Sequence, residues 1–289
     1  MLAQAQTSRP LSLWNLWWDA IRLLRPAFSH LRSFLWFATI VAGLTVRTEL
    51  AGVTSIIRAL NMQPRLYNKL RDNFHSGAIK LDRLSALWTQ AVLRLFPGPL
   101  RVNGRLVLVG DGIKIGKRGK KMPGVKLLHQ QSESNTKPEY IMGHSLQAVS
   151  LLVEAAQSVF AVPLAVRIHE GLVWSNRDMR TLLDKMLALL GILDIKDPFY
   201  FVADAYYAAH KMVNGLLKNG NHLVTRAKSN AVAYALPKPV KGRRKRVGPR
   251  STAKRSNLRP CSRTRRPCAR WPAPSMASAV SSFNTVFVI

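Results

Sequence analysis

The chain is poor in cysteine: Cys261 and Cys268 are the only two among 289 residues. Residues 1–260 therefore hold no disulfide and no cysteine zinc site, and the late pair has no matching His. That usage fits a reducing cytoplasm or carries no redox information. Long apolar runs are missing too. The longest spans Phe34 to Val46, 13 residues closed by Arg32 and Arg47. A bilayer-spanning helix needs about 20 apolar residues, so this run reads as a buried helix. The start, with Trp14, Trp17 and Trp18 among polar residues, does not read as a secretory signal.

Acids are scarce and unevenly placed. All 14 lie at or before Asp204, against 26 Lys or Arg in that stretch, a balance of +12. Residues 205–289 hold 18 Lys or Arg and no acid, which brings the chain to +30. Such an excess points to a polyanion: DNA, RNA or an acidic membrane surface. Charged residues at 20% and apolar residues at 47% are otherwise near globular averages, so most of the chain is expected to fold.

Residues 1–100 read as helical. Leu13, Leu16, Trp17, Ala20 and Leu24 share one helical face, which Pro26 interrupts. Leu50, Val53, Ile57 and Leu60 repeat the spacing, the run breaks at Asn61-Met62-Gln63-Pro64, and it resumes with Tyr67, Leu70 and Phe74. Two short helices around a tight break are either an ordinary helical pair or a helix-turn-helix with Arg65, Lys69 and Arg71 facing phosphate. Phe96-Pro97-Gly98-Pro99 is a natural boundary.

Beyond it the period changes. Leu106 to Val109 reads as a short buried strand running into Gly110-Asp111-Gly112, with a basic turn at Gly116 and Arg118 to Lys121. Val125 to Gln131 and Tyr140 to Val153 are the next extended stretches. Thr181-Leu182-Leu183-Asp184 is a capping box opening a helix that Gly191 stops. Phe199 to Ala203 is a fourth strand ending on Asp204; a helix from Ala205 to Leu217 and a strand from His222 to Arg226 follow. The order β-β-β-α-β-α-β predicts a mixed sheet flanked by helices. Residues 237–289, with the block Lys241 to Arg246, lose periodicity and are expected to be disordered.

Asp111 and Asp204 stand out because each is expected directly after a short apolar strand. On neighbouring strands two such carboxylates repel unless a cation sits between them, and hard oxygen ligands suit Mg²⁺ or Mn²⁺. Metal ions so held activate a water or a 3′-hydroxyl for in-line attack on phosphate. The structural alternative is that Asp111 caps a turn beside two glycines and Asp204 caps the helix from Ala205. Lys114, Lys117, Arg118, Lys120, Lys121 and Lys126 crowd the hairpin after Asp111, and Arg226 and Lys228 follow the last strand. Acids kept among such cations make sense if a phosphate backbone lies across them; a solvated basic hairpin is the plainer reading. His129, His144 and His169 lack metal-ligand spacing and read as structural, Tyr206 and Tyr207 read as packing, and Gly116 to Gly124 lacks the lysine-serine ending of a nucleotide loop.

Val109-Gly110-Asp111-Gly112-Ile113-Lys114, with Met122 to Gln130 after it, resembles the insertion-sequence transposases of the DDE class. Gly143-His144-Ser145, Ala203-Asp204-Ala205-Tyr206-Tyr207 and Thr225 to Tyr234 are similar to the same family, over about residues 40–245. The resemblance implies an α/β, ribonuclease-H-like catalytic domain with Asp111 and Asp204 as catalytic residues and metal ligands, Mg²⁺ or Mn²⁺ as cofactor, and strand cleavage and transfer on double-stranded DNA. Lys114, Lys117, Arg118, Lys120, Lys121, Lys126, Arg226 and Lys228 are the expected DNA-binding residues. Expected units are a helical, DNA-binding region at 1–100, an incomplete catalytic domain at 101–240 and a basic tail at 241–289. A homodimer in synapsis, no membrane partner and a cytoplasmic or nucleoid location complete the expectation.

One departure matters. The family's third carboxylate is a Glu on a helix well beyond the second Asp, and no acid follows Asp204 here. Asp194 and Asp197 precede the fourth strand and are poor geometric substitutes. The likeness fades near Lys245, which suggests a frameshift after about Arg246 and impaired activity. A non-enzymatic DNA-binding remnant is the competing expectation, and a membrane-surface protein using the Trp-rich start a further one.

Overall fold

The computed structural model describes residues 13–49, 52–96, 98–117, 119, 122, 124–129, 139–169 and 180–226, with short strands at 232–234, 255–257 and 287–288. Helices come first: α1 (Leu13–Arg22), α2 (Leu31–Val46), α3 (Val53–Ala59), α4 (Tyr67–Phe74) and α5 (Leu81–Leu95). The apolar run that is too short for a membrane is α2, and it buries Phe34, Ala38, Ile40 and Gly43. One end of it packs with Ile21, Ala27 and Phe28, the other with Ile56, Ile57 and Leu70 from α3 and α4. Gly43 permits that second contact, because a Cβ there would lie 2.5 Å from Ile56 Cγ2. Of the face predicted from Leu13 to Leu24, only Leu24, two residues past α1, is buried, whereas Leu13 is 83% exposed. The break before α4 is a 3-10 turn, Pro64–Leu66, and Arg65, Lys69 and Arg71 are exposed beside it.

Helix α5 belongs to two cores. Leu84 and Leu87 lie on the helical cluster, while Val92, Trp88 and Leu93 lie on the sheet. Trp88 Nε1 donates to the Pro163 carbonyl at 2.8 Å, which fixes the helix on the sheet's edge strand.

The sheet contains β1 (Arg101–Val102), β2 (Arg105–Gly116), β3 (Lys126–His129), β4 (Tyr140–Ala155), β5 (Ser158–His169), β6 (Phe199–Val202), β7 (His222–Thr225) and an edge strand at Phe287–Val288. β2, β4 and β5 run antiparallel in succession, and β6 and β7 are parallel to β2. Helices α6 (Leu182–Ile192) and α7 (His210–Leu217) cover one face. Their Met186, Leu189, Met212 and Leu216 pack with Leu106, Leu108, Leu151, Phe201 and Leu223 of the strands. Burying one such large side chain contributes about 1.5–3 kcal/mol. The order of elements predicts this mixed sheet with flanking helices, and it is compatible with the ribonuclease-H-like fold that the resemblance implies.

Three local expectations are corrected. β2 does not end at Val109 but continues to Gly116, because β4 pairs with it from Leu108↔Leu151 to Gly116↔Gly143. β5 is an additional strand. The expected single helix 205–217 is a 3-10 turn, Ala205–Tyr207, followed after a break by α7. The capping box is present: Thr181 Oγ1 accepts from Asp184 N, and Asp184 Oδ2 accepts from Thr181 N at 2.8 Å. Apart from strands at 255–257 and 287–288, the expected disordered tail, 237–289, lies outside the described residues; Phe287 and Val288 pair antiparallel with Thr225 and Val224. No helix among the described residues is long and apolar enough to cross a membrane.

Candidate active site

The parallel register between β2 and β6 positions the two acids. Leu106 pairs with Phe199, Leu108 with Phe201 and Val109 with Val202. Asp111 and Asp204 each lie two residues farther on, so they occupy equivalent levels beyond the last paired rung. In α/β sheets, this carboxyl end of parallel strands is where ligand sites form. The strand itself does not stop at Asp111, which pairs with Ala148 of β4. The glycine before it is needed for packing rather than for a turn: a Cβ at Gly110 would lie 2.3 Å from the Phe201 ring.

Asp204 leaves β6 and caps the next turn, accepting from Tyr206 N at 3.1 Å through Oδ1. Its own carbonyl accepts from Thr225 Oγ1 at 2.8 Å, and Ala203 N donates to Val224 O at 3.1 Å. β7 thus pins the backbone on both sides of the carboxylate. Asp111 Oδ1 accepts from Gly112 N at 2.6 Å. Both side chains are exposed, and Oδ2 of each has no hydrogen-bond partner among the described residues.

Tyr207, three residues after Asp204, is packed into the core between the sheet and its helices. It is 2% exposed, with its ring edge-on to Phe201 and Tyr206. Its oxygen accepts from Gln147 Nε2 at 3.2 Å. Burial, offset by that hydrogen bond and reinforced by the charges of Asp111 and Asp204, pushes the phenol up to about 12. Near the start of α6, Lys211 Nζ lies 2.7 Å from Asp184, and that contact, with the Thr181 hydrogen bonds, holds the Asp184 carboxyl down to about 2. Lys126 is half-buried, and burial together with Lys185 lowers its pKa.

The basic residues singled out from the sequence divide. Lys114 lies within β2 and donates to the His129 carbonyl at 2.7 Å, so it is no part of a turn. Lys117 is exposed just past β2, and Arg226 is exposed just past β7. Arg118, Lys120, Lys121 and Lys228 lie outside the described residues. Asp197 pairs with Arg101, and Asp194 with Lys196 at 2.5 Å, both at the opposite end of β6 from Asp204.

Among the described residues no group of three or more His, Cys, Asp or Glu is placed to hold a metal. His129 is exposed and faces Glu139 at 3.4 Å, His144 lies on β4 opposite Ile115, and the His169 side chain lies outside the described residues. Two hard carboxylate oxygens, open to solvent, fit one Mg²⁺-type ion that keeps several of its waters. They do not furnish a second ion with a carboxylate of its own. Tyr207 packs in the core, as its reading from the sequence has it, whereas its hydrogen bond from Gln147 had no sequence signal. Gln147 is called up only by its cross-strand position opposite Gly112.

No curated protein matches the chain. A family described as DDE superfamily endonuclease matches residues 24–284, which reaches well past Lys245, where the motif likeness fades. With most of its length matched, and with its two motif aspartates at equivalent ends of adjacent parallel strands, the chain belongs to the DDE superfamily endonucleases, a family of transposase-like nucleases that act on DNA.

Proposed function

We propose that Asp111 and Asp204 are the catalytic carboxylates of a DNA transposase-like endonuclease and the ligands of one Mg²⁺ or Mn²⁺ ion. The observation that carries this reading is their equivalent position beyond the Val109–Val202 rung. Each commits Oδ1 to a backbone N–H and keeps Oδ2 open. Bound there, the ion would lower the pKa of a water or a 3′-hydroxyl and offset charge on the phosphate. The chain's own part is to hold the two carboxylates from rigid strands, with Phe201 packed beneath Gly110 and β7 pinning Asp204. Lys114, Lys117, Arg118, Lys120, Lys121, Lys126, Arg226 and Lys228 would guide the DNA backbone, with the helical region 1–100 adding a second DNA surface. The catalytic unit is taken as 101–240 and the basic tail as 241–289, and a homodimer would bring two DNA ends together.

Activity is expected to be weak, because no acid follows Asp204 in the sequence. Nicking of supercoiled plasmid with Mn²⁺ tests this. The expected result is slow, metal-dependent nicking lost in both Asp111→Asn and Asp204→Asn. Nicking unchanged in either variant would overturn the assignment, and rapid turnover by the unaltered chain would overturn the expected impairment. The same missing acid favours a second reading, a DNA-binding remnant without catalysis. Its signature is salt-sensitive DNA affinity that ignores both substitutions and metal, with no nicking.

A further inference from the structure

β5 is an edge strand, with β4 as its only strand partner among the described residues. The register shows which of its backbone groups are in use. Val159 pairs with Glu154, and Ala161 with Leu152. Glu154 N donates to Gly98 O at 2.6 Å, and Leu152 O accepts from Leu100 N at 2.8 Å, both toward the segment that leads into β1. In an antiparallel ladder the N–H and C=O of one residue point to the same side. Glu154 and Leu152 therefore point away from β5, and Val159 and Ala161 opposite them turn their own N–H and C=O out of the sheet. Pro163 has the same phase: its carbonyl accepts from the Trp88 side chain on α5 at 2.8 Å, and it has no N–H to satisfy. Among the described residues no backbone group bonds to the outward groups of Val159 and Ala161.

Bare edges are normally blunted by charge, by proline or by a covering element. Here Pro163 and Trp88 protect only the middle of β5. Residues 158–162 carry no charged side chain, and Val159 and Phe160 are 54% and 50% exposed. Arg167, the one charged residue of the strand apart from its terminal His, is matched by Asp82 at 2.6 Å. A chain of +30 repels its own copies over most of its surface, so an uncharged stretch is where two copies can meet.

We propose that residues 158–162 form a self-pairing edge: two copies join β5 to β5, antiparallel about a two-fold axis at Phe160, into one continuous sheet. The strand is self-complementary about that residue. Val159 of one copy faces Ala161 of the other, and each such pair exchanges both of its N–H···O bonds. Phe160 meets Phe160 in the non-hydrogen-bonded position between them, where side chains lie closest. The ladder stops at Pro163, whose carbonyl is already engaged. Both copies use the same patch, so association closes at two. This deepens the homodimer of the proposed function by giving it a surface, and it rests on that reading but not on the metal ligands.

Sedimentation velocity of the full chain, freed of nucleic acid and run over a concentration series in high salt, reads the stoichiometry. A reversible monomer–dimer equilibrium is the expected result. Phe160→Lys and Ala161→Lys, on opposite faces of the strand, should each weaken it by about 10-fold or more, by setting like charges beside the axis. Both positions are exposed, so the melting temperature should be retained. In a Cys261→Ser, Cys268→Ser background, Phe160→Cys should form an intermolecular disulfide on mild oxidation, because Cα atoms of such a pair lie about 4.5 Å apart. Dimers that persist in both lysine variants, or that fail to cross-link through position 160, would overturn the β5 surface and leave the homodimer standing. A monomer at every concentration would overturn both. Growth beyond two copies would overturn the closed two-fold pairing.

Discussion

Asp184 is a carboxylate committed to structure, in contrast to Asp111 and Asp204. Its oxygens accept from Thr181 and lie 2.7 Å from Lys211, which holds its pKa near 2 against an ordinary 3.8. A depressed carboxylate contributes stability that is complete above its unfolded pKa and disappears as pH falls through its folded one. Denaturant unfolding should therefore show Asp184→Asn less stable than the unaltered chain at pH 7. The gap should close as pH drops from about 4 to about 2; a gap of constant size would show that the charge is not what matters. Asp111 and Asp204 lack any such cation among the described residues, and their open oxygens face solvent. At this scale the sequence identified both acids through their motifs. It gave no sign of the buried Gln147, which donates to a hydroxyl 60 positions away.

At the level of elements, the β4–β5 hairpin explains why a strand escaped sequence reading. Its turn residues, Ala156 and Gln157, have φ of 48° and 61°, a left-handed conformation that Asn and Gly adopt far more easily. The usual turn signal is therefore missing, and Pro163 within β5 argues against a strand although an edge tolerates it. Non-glycine residues in this conformation cost about 1–2 kcal/mol each. Replacing the pair by Asn-Gly, Ala156→Asn with Gln157→Gly, should raise the denaturant midpoint by a stability gain of about 1 kcal/mol. No gain would mean that the left-handed turn is not the strained part of the hairpin. By contrast, β1 turns into β2 through Asn103-Gly104 with φ of 49° and 74°, which is the expected chemistry. The capping box of α6 was legible for the same reason: four adjacent residues contain the whole motif.

For the whole molecule, the +30 charge is the property that governs encounter with DNA. Affinity should fall steeply with salt, with a log–log slope of about −0.9 for each phosphate neutralised. Lys117→Ala and Arg226→Ala, both exposed just past strand ends, should each reduce that slope by about 1. Filter binding across a salt series measures it, and slopes unchanged in both variants would remove these side chains from the DNA path. The family match to residue 284 weighs against treating everything after Arg246 as foreign to the fold, and Phe287–Val288 on β7 points the same way.

By itself the sequence determined what local order can carry: the buried α2 run, the start of α6, two aspartates in motif context and the lack of any later acid. Side-chain type and spacing within a few residues are enough for each. Only the tertiary structure decided that Asp111 lies inside a strand, that it shares a level with Asp204, and that Gln147 meets Tyr207 in the core. Strand register joins residues far apart in the chain, and a shift of one residue turns every side chain to the other face. That information resides in the pairing of β2 with β4 and β6 rather than in any one of them.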